Sequence, residues 1–171
     1  MAKSNRGSRS RGEITQSVDQ RKGEYEEKTD ALKHDAEDVG TEREAIEGME
    51  GLGTIEGMEA VTESLREAEA TSQREFADDG GVLEQSQREG QELEGELDER
   101  AESTDKDLRE ISEARGEVHS DAAAGPIERA EAQTREDIEF LRGEEERGRE
   151  SREKAEQEHE QLKQIVHGKG S

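Results

Sequence analysis

The sequence predicts an all-α protein of elongated helical hairpins in a coiled-coil-like bundle, with a disordered basic arm at its N-terminus. Three observations predict this class. The 171 residues include a single proline and are rich in Glu, Arg, Gln and Ala, which favour helices. Apolar side chains recur every three or four residues over long stretches, as on the buried face of a helix. Short glycine-containing stretches separate these periodic segments, as helix ends do.

The first segment, residues 1–12, predicts the disordered arm. Its four positive charges, on Lys3, Arg6, Arg9 and Arg11, lie among Ser and Gly without apolar periodicity. Three interpretations are open: a solubilising tail, a weak salt-sensitive contact with a polyanion, or pairing with the acidic body of a neighbouring copy. Because the chain has a net charge of −23, we expect nucleic acid to be an unfavoured partner.

Glycine positions divide the rest of the chain. We predict glycine-marked corners within 13–81, a long antiparallel helical hairpin over 82–166 and a disordered tail over 167–171. Gly40-Thr41 begins a capping box, and Gly125-Pro126 places proline where a helix would start. The predicted helices are 13–39, 42–50, 55–77, 82–122 and 127–166, with breaks at 40–41, 51–54, 78–81 and 123–126.

Two apolar stripes are the candidate packing or partner seams. Their large apolar members are Ile55, Met58, Leu65 and Phe76 in the first stripe and Leu93, Leu97, Leu108, Ile111 and Val118 in the second. Further residues complete the three- and four-residue spacing, with one skip at Ala114/Arg115: Val61 or Thr62, Ala68 and Ser72 in the first stripe, and Ala101 and Thr104 in the second. In the first helix, Val18, Tyr25, Leu32 and Val39 lie at multiples of seven.

A near-repeat, Ile-Glu-Gly-Met-Glu, occurs at 46–50 and again at 55–59. It predicts either a packed helix corner or an adaptable methionine-lined contact for a partner helix. Between Arg142 and Gln161, Ala155 is the one apolar side chain apart from glycine. We therefore expect that stretch to be a solvated or frayed helix that buries no face.

The composition argues against a catalytic or metal-binding protein. Leu, Ile, Val and Phe make up 14% of the chain, below the roughly 20% of ordinary globular domains. There is no Cys, and His34, His119, His159 and His167 show no zinc-motif spacing, so we expect them on solvated helix surfaces. A calcium loop starting at Asp35 fails because Val39 and Ile46 occupy ligand positions. The sequence thus predicts no enzyme, no cofactor and no metal site.

The sequence contains no apolar run long enough to span a membrane and no signal-peptide pattern. We therefore expect a cytoplasmic protein, with export by a signal-independent route as an alternative.

These observations together predict a non-catalytic helical interaction, scaffold or assembly protein that binds a protein partner or self-associates through its helices. In composition the chain is broadly similar to phage scaffolding proteins and to stalk and adaptor proteins of secretion machines. The alternatives are an ordinary helical fold adapted to high salt, or a stress-protective hydrophilin. The chain is similar to late-embryogenesis-abundant hydrophilins in its 18 glycines and lack of Cys and Trp, but it lacks their lysine- and alanine-rich 11-residue repeats.

Overall fold

The protein is all-α, as the sequence predicts. The computed structural model describes residues 9–53 and 56–168, and this part of the chain contains three helices and no strand. Helix α1 spans Arg11–Glu50, α2 spans Met58–Glu117 and α3 spans Asp121–His167. Lys3, Arg6 and Ile55 lie outside the described residues, as do 169–171 of the predicted tail.

Helix α1 begins close to the predicted start at residue 13, but it ends at Glu50 and so joins the two predicted helices 13–39 and 42–50. The Glu13 N–H donates to the Ser10 hydroxyl at 3.2 Å, so Ser10 caps the first turn. Helix α1 thus begins at Arg11, inside the segment that we predict as disordered. It stops at Glu50, and Gly53 follows with a φ of 73°, a left-handed conformation that favours glycine. The predicted stop at 51–53 is confirmed.

Three other predicted breaks are wrong. Helix α1 continues through Gly40, and α2 continues through Gly80 and Gly81. A glycine inside a helix costs about 1 kcal/mol, less than the burial of the apolar side chains on either side returns. The last connection is 118–120, before the predicted break, and Pro126 lies inside α3 without ending it.

The chain divides into two compact units. Unit 1 consists of Met1–Lys22 and Glu89–Ser151, and unit 2 consists of Gly23–Arg88 and Arg152–Ser171. The division that we predict between residues 81 and 82 falls inside α2 and within unit 2.

Unit 1 buries one apolar cluster contributed by segments of all three helices. Leu93 and Phe140 pack against the buried members, which are Ile14, Val18, Leu97, Ala101 and Leu141. Ion pairs show the relative directions of the helices. Arg9 pairs with Glu96 and Arg21 with Glu89, so α1 is antiparallel to α2 in this unit. Arg11 with Asp137 and Arg147 with Asp19 make α1 parallel to α3.

Unit 2 has its own apolar cluster. Leu162 packs against the buried members, which are Tyr25, Leu32, Ala36, Val39, Phe76, Leu83, Ala155 and Val166. The seven-residue series that the sequence shows in α1 is therefore buried in this unit, apart from Val18, which is buried in unit 1. Within unit 2, α1 and α2 are again antiparallel, because Ser86 bonds Glu24 while Ser72 bonds Glu42.

The expectation that 142–161 buries no face is wrong. The stretch is helical throughout, and in unit 1 it buries Glu144, Glu145 and Gly148. In unit 2 it buries Ala155 and His159. The position of these residues on the helix turns them inward whatever their polarity. Arginines on the same helix neutralise the buried carboxylates: Arg142 and Arg149 lie 3.0 and 3.1 Å from Glu145, and Arg147 lies 2.7 Å from Glu144.

Candidate interaction surface

The histidines are distributed differently from the sequence expectation. His34, His119 and His167 are exposed, whereas His159 is 5% exposed, which corrects the prediction that all four lie on solvated surfaces. Among the residues that the structure describes, no group of three or more His, Asp or Glu side chains is arranged to hold a metal ion.

His159 occupies a notch made by Gly80. Its ring centroid lies 5.9 Å from that of Phe76, and burial lowers the histidine pKa, with Lys163 lowering it further and Glu84 and Glu160 opposing. A Cβ added at Gly80 would lie 2.9 Å from Nε2 of His159. Gly80 is therefore a packing residue between α2 and α3 of unit 2, where the sequence predicts a helix end.

A carboxyl pair, the buried Asp35 and the half-buried Asp79, lies between α1 and α2 of unit 2. Asp35 is 6% exposed and shares a hydrogen bond with Asp79. Burial, this hydrogen bond and the negative charges of Asp79 and Glu75 raise the pKa of Asp35 to about 7, while His34 opposes the shift. No spacing in the sequence singles out this pair, because carboxylates are so abundant in the chain.

In unit 2, the end that contains the connection between α1 and α2 is a two-helix hairpin. There α3 terminates against α1 and α2: the guanidinium of Arg43 donates to the carbonyl oxygens of Ile165 and Val166, and the Gln73 amide donates to Val166 at 3.5 Å. Residues 44–50 of α1 and 58–72 of α2 continue beyond these contacts. We call this pair the open hairpin.

The open hairpin presents an apolar face that is incompletely covered. Ile46 is buried between the two helices, and Arg66 pairs with Glu50 at 3.2 Å. Met58 and Leu65 are half-buried, and Val61, on the same side of α2, is 44% exposed. Among the described residues of unit 2, no third helix lies alongside it.

Unit 1 has a comparable feature. Residues 101–117 of α2 and 121–137 of α3 extend past the level at which α1 begins, and there they pair with each other. Arg115 lies 3.4 Å from both Glu128 and Glu131. A shallow groove of about 590 Å³ runs between these helices, and its lining includes Ile111 and Asp107. We call it the α2–α3 groove.

The structure separates the predicted seam residues into two groups. Phe76 and Leu97 are core residues, and Leu93 packs against the core of unit 1. The second group is half-buried. Met58 and Leu65 lie in the open hairpin, and Leu108 and Ile111 lie in the part of α2 that borders the α2–α3 groove. Val118 follows the end of α2. Of the predicted polyanion-contacting residues that are described, Arg9 and Arg11 pair with Glu96 and Asp137.

No family model, curated protein or solved structure matches this chain. None of the helices described above combines the length and the apolar character needed to cross a membrane.

Proposed function

We propose that this is a non-catalytic helical interaction and scaffold protein that works through coiled-coil-like seams, and that the open hairpin binds a helix of a partner protein. The observation that carries the proposal is the clamp of Arg43 and Gln73 on the end of α3. Past this clamp α1 and α2 continue to pair with each other, whereas α3 has ended.

The burial pattern supports a helical occupant. In the rest of unit 2, α3 supplies Ala155, Leu162 and Val166 to the shared cluster. In the open hairpin, Met58, Val61 and Leu65 follow the same three- and four-residue spacing without an equivalent cover. A helix with apolar residues at that spacing fits between two such helices, and methionine adapts to the shape of the occupant.

Charge indicates which helix fits. Residues 44–72 contain eight glutamates and one arginine, a net charge of −7. A second copy of the open hairpin would bring the same charge and be repelled, whereas an apolar stripe flanked by Lys and Arg would be attracted. The proposed partner segment is therefore a basic amphipathic helix.

The buried clusters of both units support a folded scaffold over a hydrophilin. A circular-dichroism melt, combined with light-scattering mass at low and molar salt, tests this choice. A cooperative loss of helicity at low salt is expected. A coil spectrum without a transition would favour the hydrophilin, and helicity confined to molar salt would favour adaptation to high salt.

Binding itself is tested with two synthetic helical peptides that share one leucine stripe and differ in carrying flanking Lys or flanking Glu. The Lys peptide should bind and the Glu peptide should not. Replacing Met58→Gln and Val61→Asn together should weaken binding at least about tenfold, because about 1.5 kcal/mol of apolar contact is lost. The matched control is Val82→Asn, since Val82 lies on the same helix, is 50% exposed and is outside the open hairpin. An equal loss in both variants, or no binding by either peptide, would refute the proposal.

A further inference from the structure

The α2–α3 groove has the chain's own N-terminal segment at its edge. Arg100 donates to the Arg9 carbonyl oxygen at 2.9 Å, and the guanidinium of Arg11 bonds Asp137 and lies 5.2 Å from the ring centroid of Phe140. Asp137 also lines the groove. The contacts that hold the beginning of α1 therefore place Arg9, to which residues 1–8 are attached, next to one end of the groove.

The direction of α1 extends this placement. Helix α1 is antiparallel to α2 in unit 1, so continuing α1 backward from Ser10 leads along α2 from Arg100 toward Glu117. This is the course of the groove, whose lining includes Thr104, Ile111 and Ala114 of α2. The position that α1 fills in the rest of unit 1 is the position that the groove leaves open.

Charge and shape fit the same occupant. Residues 101–137, which form the two walls and their connection, carry a net charge of −6, whereas residues 1–8 carry two positive side chains and no acid. The lining combines the apolar Ile111 and Ala114 with the acidic Asp107, Glu110 and Asp137. A shallow acidic groove suits a chain of Arg, Lys, Ser and Gly better than it suits a helix with large apolar side chains.

The available chain is also long enough. From the level of Arg100 to that of Ala114 is about 21 Å along α2 at 1.5 Å per residue. Eight extended residues span up to about 26 Å. Because the segment is tethered at the edge of the groove, its effective concentration there is on the order of millimolar, and weak charge pairs suffice to hold it.

We propose that residues 1–8 of each chain occupy the α2–α3 groove of the same chain as a salt-sensitive third member of unit 1. This inference is independent of the partner site in the open hairpin, which lies in unit 2. It gives the basic arm a specific intramolecular binding surface.

The absence of cysteine makes a direct test possible, because one introduced cysteine is the sole labelling site. A nitroxide is attached at Ser4→Cys in the full chain, and the heights of the backbone amide peaks are measured by NMR. At low salt the peaks of Ile111, Ala114 and Thr134 should be at least halved relative to the reduced nitroxide. At molar salt, where the Debye length is about 3 Å, the loss should disappear.

Two variants with equal charge changes establish where the arm binds. Neutralising the groove with Asp107→Asn and Glu110→Gln should remove most of the broadening. Neutralising the opposite face of α2 with Glu102→Gln and Glu113→Gln should preserve it, because those side chains are exposed and do not line the groove. Equal helicity and equal melting temperatures of the variants would show that both remain folded.

A mixture identifies the chain that supplies the arm. Isotope-labelled chains without nitroxide are mixed with nitroxide-bearing chains without isotope label. Broadening that is absent from the mixture and present in the doubly labelled chain supports the proposal. Broadening of equal size in the mixture would overturn the same-chain assignment, and no broadening in either sample would overturn the groove. Neither result bears on peptide binding by the open hairpin, so the two proposals fail separately.

Discussion

Replacing Asp35 by Asn should stabilise the protein, and by an amount that depends on pH. The carboxyl group of Asp35 is buried against Asp79, and its pKa rises from 3.8 to about 7. Between these two values the folded state holds a proton that the unfolded state has released. The contribution of Asp35 to the free energy of unfolding therefore falls as pH rises from about 4 to about 7 and stays low above that.

The size of the effect follows from the shift. A shift of about three pKa units corresponds to roughly 4 kcal/mol, which is an upper limit for the cost of ionising Asp35 in the folded state. Asparagine has the same shape, carries no charge, and can donate its amide N–H to the Asp79 carboxylate. Asp35→Asn should therefore add up to about 4 kcal/mol at about pH 8 and almost nothing at about pH 4.

Urea denaturation of the parent and of Asp35→Asn at several pH values measures this difference. Comparing the two proteins at each pH removes the general relief of charge repulsion that acid brings to so acidic a chain, because both proteins share it. The matched control is Asp30→Asn on the exposed side of α1, which should change stability by less than about 0.5 kcal/mol at any pH. A gain that is the same at all pH values, or a destabilisation above pH 7, would refute the reasoning.

The remaining predictions concern packing and a second titrating group. Gly80→Ala should destabilise the protein by about 1 to 3 kcal/mol, because the new Cβ would lie 2.9 Å from Nε2 of His159. Gly81→Ala should stabilise it by up to about 1 kcal/mol, since no atom lies within 4 Å of the new Cβ. Thermal melts in which Gly80→Ala is the more stable variant would disprove the notch. Leu97→Glu should abolish cooperative melting, because Leu97 is 3% exposed and the new carboxylate would be buried. Leu108→Glu should reduce the free energy of unfolding by less, because Leu108 is half-buried. Equal melting temperatures of the two variants would contradict this difference. The pKa of His159 is lowered in the folded state, so its contribution to stability is lost as pH falls below the ordinary value of 6.5, and His159→Gln should reduce that loss in the same denaturation series.

The sequence by itself determined which apolar residues of the first helix share a face. Val18, Tyr25, Leu32 and Val39 recur at seven-residue intervals, and the same spacing that predicts a helix also brings them to one face. All four are buried in the structure. The all-α class and the helix end at 51–53 follow from equally local causes, namely helix propensity and the left-handed conformation available to glycine.

Helix continuity required the tertiary structure. Gly40 and Gly80 each weaken a helix locally, yet neither ends one here, because neighbouring side chains such as Val39 and Leu83 are packed in the apolar cluster of unit 2. Gly80 has an additional reason to be glycine, since it makes room for His159. Local propensity is worth about 1 kcal/mol for a glycine, so burial of neighbouring apolar groups outweighs it.

The polar interior and the open surfaces were also decided by tertiary structure. Asp35, Glu145 and His159 look like ordinary surface residues in a sequence that is 43% charged, and their burial follows from the arrangement of three helices around them. The relative lengths and registers of the helices determine that the open hairpin extends beyond α3 and the α2–α3 groove beyond α1. Spacing along one helix identifies a face, but only the neighbouring helices determine whether that face is core or surface.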